Sequence, residues 1–258
     1  MIETLFSAFN ADARILSITL IEPALIAALF ISAGLFAKQT RWAWLWASVF
    51  TVFIYNISLS GFYSLIETPA WLQEITQHAR TWFTFGLLFI VASLIGGIAR
   101  VFSNETIGMT LRRTPGSLKQ TMMITACVVV LLTMTAIFNV FQVEDPTATG
   151  KILYSATLQP FSEEFAFRGV LLLLLNEAFG RQRKVFGVTV GLGLALEAVA
   201  FGLFHLIGWN EGQVTFDVLF FAWTFAGGLV FVWLRERSGS LFLPFFIHAY
   251  GNTLAYLI

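Results

Sequence analysis

Long apolar stretches separated by short polar connectors set the pattern of this chain. Eight stretches, at roughly 15–36, 42–66, 81–102, 119–141, 152–177, 185–207, 214–234 and 240–258, reach or approach a membrane span. A helix needs about 20 largely apolar residues to cross the hydrocarbon core. The connectors between them, such as 38–41, 104–119, 142–151 and 180–184, are too short to fold as soluble domains. A shorter stretch at 71–80 mixes Trp71, Leu72 and Ile75 with Gln73, Glu74 and Gln77, which predicts an interfacial helix leading into the third span. No internal repeat, low-complexity tract or Pro/Gly/Ser linker divides the chain. The expectation is an all-α integral membrane protein: one membrane domain over 1–258, a bundle of about eight transmembrane helices, with the motif-bearing helices in 152–258.

Composition agrees. The chain is 57% hydrophobic and 12% charged, with 28 Phe and 8 Trp; an ordinary soluble domain carries about 25% charged residues. Formal net charge is zero, and no basic arm or acidic tail points to nucleic acid or to a charged partner. The partners this composition implies are membrane lipids, with no nucleic acid. Cys127 stands alone, so an internal disulfide and a cysteine metal cluster are both excluded. The first residues carry Glu3, Asp12 and Arg14 in place of the basic region of a secretory signal, so the first span is expected to be retained.

Basic residues set an orientation. With eight spans, one set of connectors holds Lys38, Arg41, Arg100, Arg112, Arg113, Lys119, Arg181, Arg183, Lys184, Arg235 and Arg237, and the other holds Arg14, Arg80 and Lys151. Eleven against three puts both termini on the non-cytoplasmic side of the cell's inner or plasma membrane.

Against this background the polar residues inside the last spans stand out, because an ionisable group in hydrocarbon costs a few kcal/mol or more and is a functional candidate by default. Glu163, Glu164 and Arg168 lie in one stretch. Four residues apart, Glu164 and Arg168 share a helix face and can neutralise each other. Glu163 then sits about 100° around from Glu164 and about 140° from Arg168, so one carboxylate is partnered while its neighbour points elsewhere. An incompletely paired carboxylate suits a general base. Pro160 should kink or loosen this helix. The structural alternative is a buried ion pair.

His205 closes the run Phe201-Gly202-Leu203-Phe204-His205; alone it reads as a satisfied structural group. His248 and Asn252, also four apart, share one face of the last span, with Pro244 and Gly251 near them to open the backbone. An imidazole and a carboxamide together can hold a developing oxyanion, or glue that helix to its neighbours by hydrogen bonds. No serine or cysteine is placed as a nucleophile: Ser162 is adjacent to Glu163 and faces away from it. Water attack on a carbonyl, activated by carboxylate and imidazole, is the natural chemistry. Glu163, His205 and His248 could instead form a two-histidine, one-carboxylate zinc site, although the usual helical His-Glu-x-x-His pairing is absent. A third reading is a transporter or scaffold whose buried charges relay protons or fix packing; the matching halves of a transporter are not evident.

Other polar positions carry less. Glu22 precedes Pro23 in the first span and reads as reaching water at the boundary. Glu197, two turns before His205, is a candidate partner for that histidine. Asp217, Glu211, Asn210 and His78 read as solvated, Trp42, Trp44 and Trp46 as an interfacial belt, and the glycines of 187–193 with Gly227 and Gly228 as close helix packing.

Three motifs now stand in order on separate apolar segments: Glu-Glu-x-x-x-Arg at 163–168, Phe-x-x-x-His at 201–205 and His-x-x-x-Asn at 248–252. The ordered set resembles the CAAX prenyl endopeptidase and bacteriocin-processing family (CPBP, also called Abi) of glutamate-dependent intramembrane proteases. It covers about the last 100 residues; nothing in 1–150 matches. The resemblance implies an eight-helix membrane fold and a glutamate-dependent endopeptidase that acts without a cofactor on a peptide or membrane-protein substrate, lipidated or not. In it Glu163 and His205 activate water, His248 and Asn252 stabilise the tetrahedral intermediate, and Glu164 and Arg168 support them. Family members that trim prenylated proteins work from the cytosolic side, whereas the charge bias puts the motif residues mid-membrane or in the outward half.

Overall fold

The computed structural model describes residues 20–60, 86, 102–138, 149–210 and 213–257. The expected third span and the interfacial stretch at 71–80 lie outside the described residues, Gly86 apart. Helices α1 (Leu20–Phe36) and α2 (Trp42–Ser60) form an N-terminal pair. Helix α3 (Leu118–Ile137) follows, then α4 (Thr149–Ala156). A continuous helical path then runs through α5 (Leu158–Glu164), a π-helical segment (Phe165–Leu171) and α6 (Leu172–Phe179). Helices α7 (Leu192–Leu203), α8 (Val218–Ser238) and α9 (Phe242–Leu257) complete the described bundle.

Among the described residues two helices, α3 and α8, are long and apolar enough to cross a membrane, with mean hydropathy 1.9 and 1.7. Neither behaves as the core helix of a soluble protein. Helix α3 in particular turns Met122, Met123, Val130, Leu131, Met134 and Ile137 outward. A continuous apolar surface of that kind needs lipid or a partner over it.

Two of the other expected spans are interrupted, and each interruption has a local cause. The stretch 152–177 breaks at Thr157, whose backbone leaves the helical region (φ −133°, ψ −77°). Pro160 does not cause the break. It sits in the first turn of α5, where its missing N–H leaves no helical bond unmade; the loosening comes later, in the π-helical segment. The stretch 185–207 starts as a β-hairpin, with β1 (Arg183–Val185) antiparallel to β2 (Val188–Val190), and turns helical only at Leu192. Gly187 takes φ +83° at that turn, a conformation that side chains resist. A second hairpin pairs β3 (Ile207–Asn210) with β4 (Gln213–Phe216) and links α7 to α8.

Asp217, expected merely to be solvated, caps α8: its carboxylate accepts from Phe220 N–H at 2.8 Å. The far end of α8 closes on Gly239 in the left-handed region, with Arg235 and Arg237 in the last turn against the helix dipole. Pro244 and Gly251 do not open α9, which is continuous; Pro244 lies in its first turn, and Gly251 faces Leu132 of α3 at packing distance.

Two apolar cores result. One joins α1, α2, the π-helical segment, α6 and α7 around Phe30, Leu45, Phe165, Leu174 and Leu175; the other joins α3, α8 and α9 around Phe231, Leu234 and Ile247. Close approach is set where side chains are absent. A Cβ at Gly193 would meet the Asn176 backbone nitrogen at 3.0 Å, and one at Gly228 would sit 3.4 Å from Ala198. Gly227 has nothing against it, contrary to the packing role expected from sequence. The N-terminal pair is tied on by an Arg41–Glu177 ion pair and by Arg41 N–H donating to the Ala178 carbonyl. Inside the pair, Asn56 donates to Glu22 at 3.1 Å with both groups buried, so Glu22 is not the water-reaching group the sequence suggests.

Candidate active site

Glu163, Glu164, Arg168 and His248 meet where the two cores adjoin. Arg168 is fully buried, its guanidinium lying 3.9 Å from the Phe201 ring centre on one side and 5.5 Å from Phe231 of the other core. Its position in a π-helical turn fits the tendency of such turns to occur at functional sites. It pairs with two acids: Nη1 lies 3.3 Å from Glu164 Oε1, and Nε lies 3.3 Å from Glu197 Oε1. These are Coulombic contacts more than aligned hydrogen bonds, for no Arg168 nitrogen has a hydrogen-bond partner in good geometry.

Glu197 is thereby reassigned. It is fully buried and faces Arg168, not His205. The sequence signal was present, a lone carboxylate inside an apolar helix, but its spacing from His205 pointed to the wrong partner.

His248, from α9, inserts between the two consecutive glutamates. Its Nδ1 lies 2.9 Å from Glu164 Oε1, and its Nε2 lies 3.7 Å from Glu163 Oε2. Adjacent residues on a helix still diverge, as expected, yet one imidazole presents a nitrogen to each of them. Glu163 therefore does not point away from the cluster. Facing a carboxylate, Nδ1 is the donor, which fixes the ring's orientation. The two glutamates differ in surroundings: Glu164 is 1% exposed, whereas Glu163 and His248 are each 12% exposed. Glu163 Oε1 accepts from the Gln159 amide at 3.3 Å, and its Oε2 has no hydrogen-bond partner.

His205 lies at the end of α7, half-buried. Its Nδ1 donates to the Phe201 carbonyl at 2.7 Å, leaving Nε2 as the lone-pair nitrogen of the neutral ring. Phe201 stacks against it at 4.7 Å and meets His248 edge-on at 6.1 Å, so this one ring separates the two imidazoles and also carries Arg168. His205 is within electrostatic reach of Glu163, His248 and Arg168. Asn252 sits one turn beyond His248 on α9, half-buried, and its side chain makes no hydrogen bond among the described residues. The described residues form no group of three His, Cys, Asp or Glu side chains arranged to hold a metal ion.

The arrangement thus places an acceptor oxygen beside an imidazole at the partly exposed edge of a buried charge cluster. Sequence reasoning missed Gln159, whose amide meets Glu163, and Phe231, which with Phe201 of the Phe-x-x-x-His motif cradles Arg168; neutral and apolar residues in an apolar span give little signal of their own.

Residues 145–254 match the family model of Type II CAAX prenyl endopeptidase Rce1-like proteins, the family that the three motifs resemble. All six motif residues fall inside the matched segment. No curated protein and no solved structure matches the chain. Over this segment, which is less than half of the chain, the protein is similar to CAAX-type prenyl endopeptidases, and the apolar α3 and α8 agree with a membrane protein.

Proposed function

We propose that this chain is an intramembrane endopeptidase that hydrolyses a peptide bond with water activated by Glu163 and His205. One observation carries the reading: Glu163 Oε2 is a buried acceptor without a hydrogen-bond partner, 3.7 Å from His248 Nε2 and at the partly exposed edge of the cluster. That oxygen is free to take a proton from an attacking water, and the lone pair of His205 Nε2 can orient the same water.

In the proposed step, the water oxygen bonds to the carbonyl carbon as its proton passes to Glu163. The carbonyl oxygen becomes an oxyanion facing His248 and Asn252. Collapse of the intermediate breaks the C–N bond, and the proton on Glu163 goes to the leaving amine. Because His248 Nδ1 already donates to Glu164, donation to the oxyanion from Nε2 requires the imidazolium form, whose charge Glu163 and Glu164 flank. Glu164 and Arg168 are supporting residues in this scheme, and no cofactor takes part.

The wider reading keeps the eight-span bundle, the inner or plasma membrane and both termini on the non-cytoplasmic side, supported by the apolar segments and the Lys/Arg bias. The family's substrate class makes a prenylated Cys-a-a-X peptide the first probe. Wild-type protein and Glu163→Gln, in the same membrane, should differ by about 10²–10⁴-fold in cleavage of an internally quenched peptide of that type, the usual yield of general-base catalysis. Equal cleavage by the two would overturn the reading.

A further inference from the structure

The hairpin between α6 and α7 is built around an unfavourable turn. Val185 pairs with Val188, so Phe186 and Gly187 form a two-residue turn, with φ of +45° and +83°. Such a turn favours Asn, Asp or Gly at both positions, and a bulky residue at positive φ is a genuine outlier. Phe186 gains no burial within the chain in exchange, for it is 82% exposed. The backbone thus holds an aromatic ring out of the protein, where only something external can cover it.

Two long apolar helices fix the depth of that turn. Arg237, in the last turn of α8, donates from Nε to Gln120 Oε1 at 2.6 Å and from Nη2 to the Gly116 carbonyl at 2.7 Å. These bonds tie the C-terminal end of α8 to the N-terminal end of α3. Gly187 packs on the same guanidinium: a Cβ there would sit 3.4 Å from Arg237 Nε and 3.6 Å from Gln120 Oε1. Helix α8 has 21 residues and α3 has 20, so each is about 30 Å long, the thickness of the hydrocarbon core. Their joined ends therefore lie where acyl chains meet headgroups, and the hairpin turn lies there with them. The free charges beside it have one sign. Arg183 and Lys184 precede the turn and Lys119 adjoins Gln120, all exposed. None of the three is ion-paired among the described residues, and the neighbouring acid Glu236 is taken by Arg181 at 2.9 Å.

We propose that the β1–β2 hairpin is a wedge for anionic lipid: Phe186 enters the boundary between headgroups and acyl chains, while Arg183, Lys184 and Lys119 hold lipid phosphates. Apolar side chains seat about 5–10 Å into that boundary, and cations at the surface draw anionic headgroups to themselves. Phosphates are the acids present at that depth, so a lipid fits the patch better than an acidic protein does. The hairpin also links the helical path of Glu163, Glu164 and Arg168 to α7, which carries Glu197. A wedge there sets the membrane depth of the helices on both sides of the charge cluster.

Spin-labelled Phe186→Cys reports the depth, in the full chain carrying Cys127→Ala to remove its one native thiol. In nanodiscs of mixed phosphatidylcholine and phosphatidylglycerol the label should collide more with dissolved oxygen than with a nickel chelate. In phosphatidylcholine alone the balance should move toward the chelate. A second measurement keeps the native ring: binding of fluorescent phosphatidylglycerol to the otherwise unaltered chain should weaken about fivefold for each cation lost in Arg183→Gln and Lys184→Gln. Phe186→Ser should weaken it too. These side chains are exposed, so Tm should hold in every variant. A label that favours the chelate in both bilayers, or phosphatidylglycerol binding unchanged in the Arg183→Gln, Lys184→Gln double variant, would overturn the proposal. So would a label equally shielded with and without phosphatidylglycerol, which would mark an apolar or protein contact with no part for the phosphates.

Discussion

Replacing Arg168 with Met tests the electrostatics of the cluster directly. Methionine keeps an unbranched apolar stem and removes the guanidinium with its charge. The guanidinium is 3.3 Å from both Glu164 and Glu197, and all three side chains are at most 1% exposed. Exposed ion pairs contribute about 0–1 kcal/mol, but stranding a buried charge costs about 3–5 kcal/mol. Burial therefore decides the size class. After the substitution Glu164 keeps His248, whereas Glu197, neither of whose oxygens has a hydrogen-bond partner, loses its counter-charge. The cation–π contact with Phe201 at 3.9 Å is also lost, worth up to about 2 kcal/mol, and a thioether–aromatic contact replaces part of it. Arg168→Met should thus destabilise by about 3–5 kcal/mol, a Tm fall of roughly 6–20 °C for a chain of this length. Trp fluorescence during reversible unfolding in mixed micelles measures it. Adding Glu197→Gln removes one of the two stranded acids and should recover about half of the loss. If Arg168→Met stays within about 1 kcal/mol of wild type, or the double variant is no more stable than the single one, the pairing does not hold the cluster together.

Three further outcomes follow from named contacts. Asn252→Ala should lower kcat about 10²–10³-fold, the usual effect of removing one oxyanion donor, while Tm holds, because that side chain makes no hydrogen bond among the described residues; a Tm loss with normal kcat would instead mark Asn252 as helix glue. Gly193→Ala should cost about 1–3 kcal/mol in the same unfolding assay, since its Cβ meets Asn176 backbone at 3.0 Å and α6 and α7 must part; unchanged stability would show that the helices yield freely. Treatment with 1,10-phenanthroline should leave the cleavage rate at its starting value, and a loss reversed by added zinc would establish the Glu163, His205 and His248 metal reading.

How much of this could be read in the sequence depended on whether a residue's role is local. The Glu164–Arg168 pair follows from a four-residue spacing, and it is found at 3.3 Å. The apolar stretches at 119–141 and 214–234 are helices close to their expected bounds. What failed was the assumption that each apolar stretch is one straight helix. Residues 185–190 are apolar but for Thr189, yet the tight turn at Phe186 and Gly187, both at positive φ, folds them back on 183–185 as a hairpin. Apolarity specifies burial or lipid contact; it does not choose between helix and hairpin over a few residues. Long-range partners were less legible still. The contact of Glu197 with Arg168 joins residues on different helices, and no periodicity reports it.

The same distinction bears on the two glutamates. Helical geometry alone separates Glu163 from Glu164, since neighbours on a helix diverge by about 100°, and on spacing alone that leaves one acid partnered and the other pointing elsewhere as a candidate base. A histidine from a third helix changes the consequence without changing the geometry. Its two nitrogens reach both acids, and the environments then sort the acids by role. Glu164 is enclosed, with Arg168 and His248 on the same oxygen, so it is already committed. Each acid keeps one oxygen without a hydrogen-bond partner, so exposure separates them: Glu163 is 12% exposed and Glu164 1%. Of two adjacent and chemically identical side chains, only Glu163 is open to accept a proton from outside the cluster. That asymmetry gives a substitution test its direction: Glu164→Gln should act mainly on stability, and Glu163→Gln mainly on turnover. Were the two substitutions to exchange these effects, the division of labour argued from burial would be reversed, and Glu164 would have to be the base.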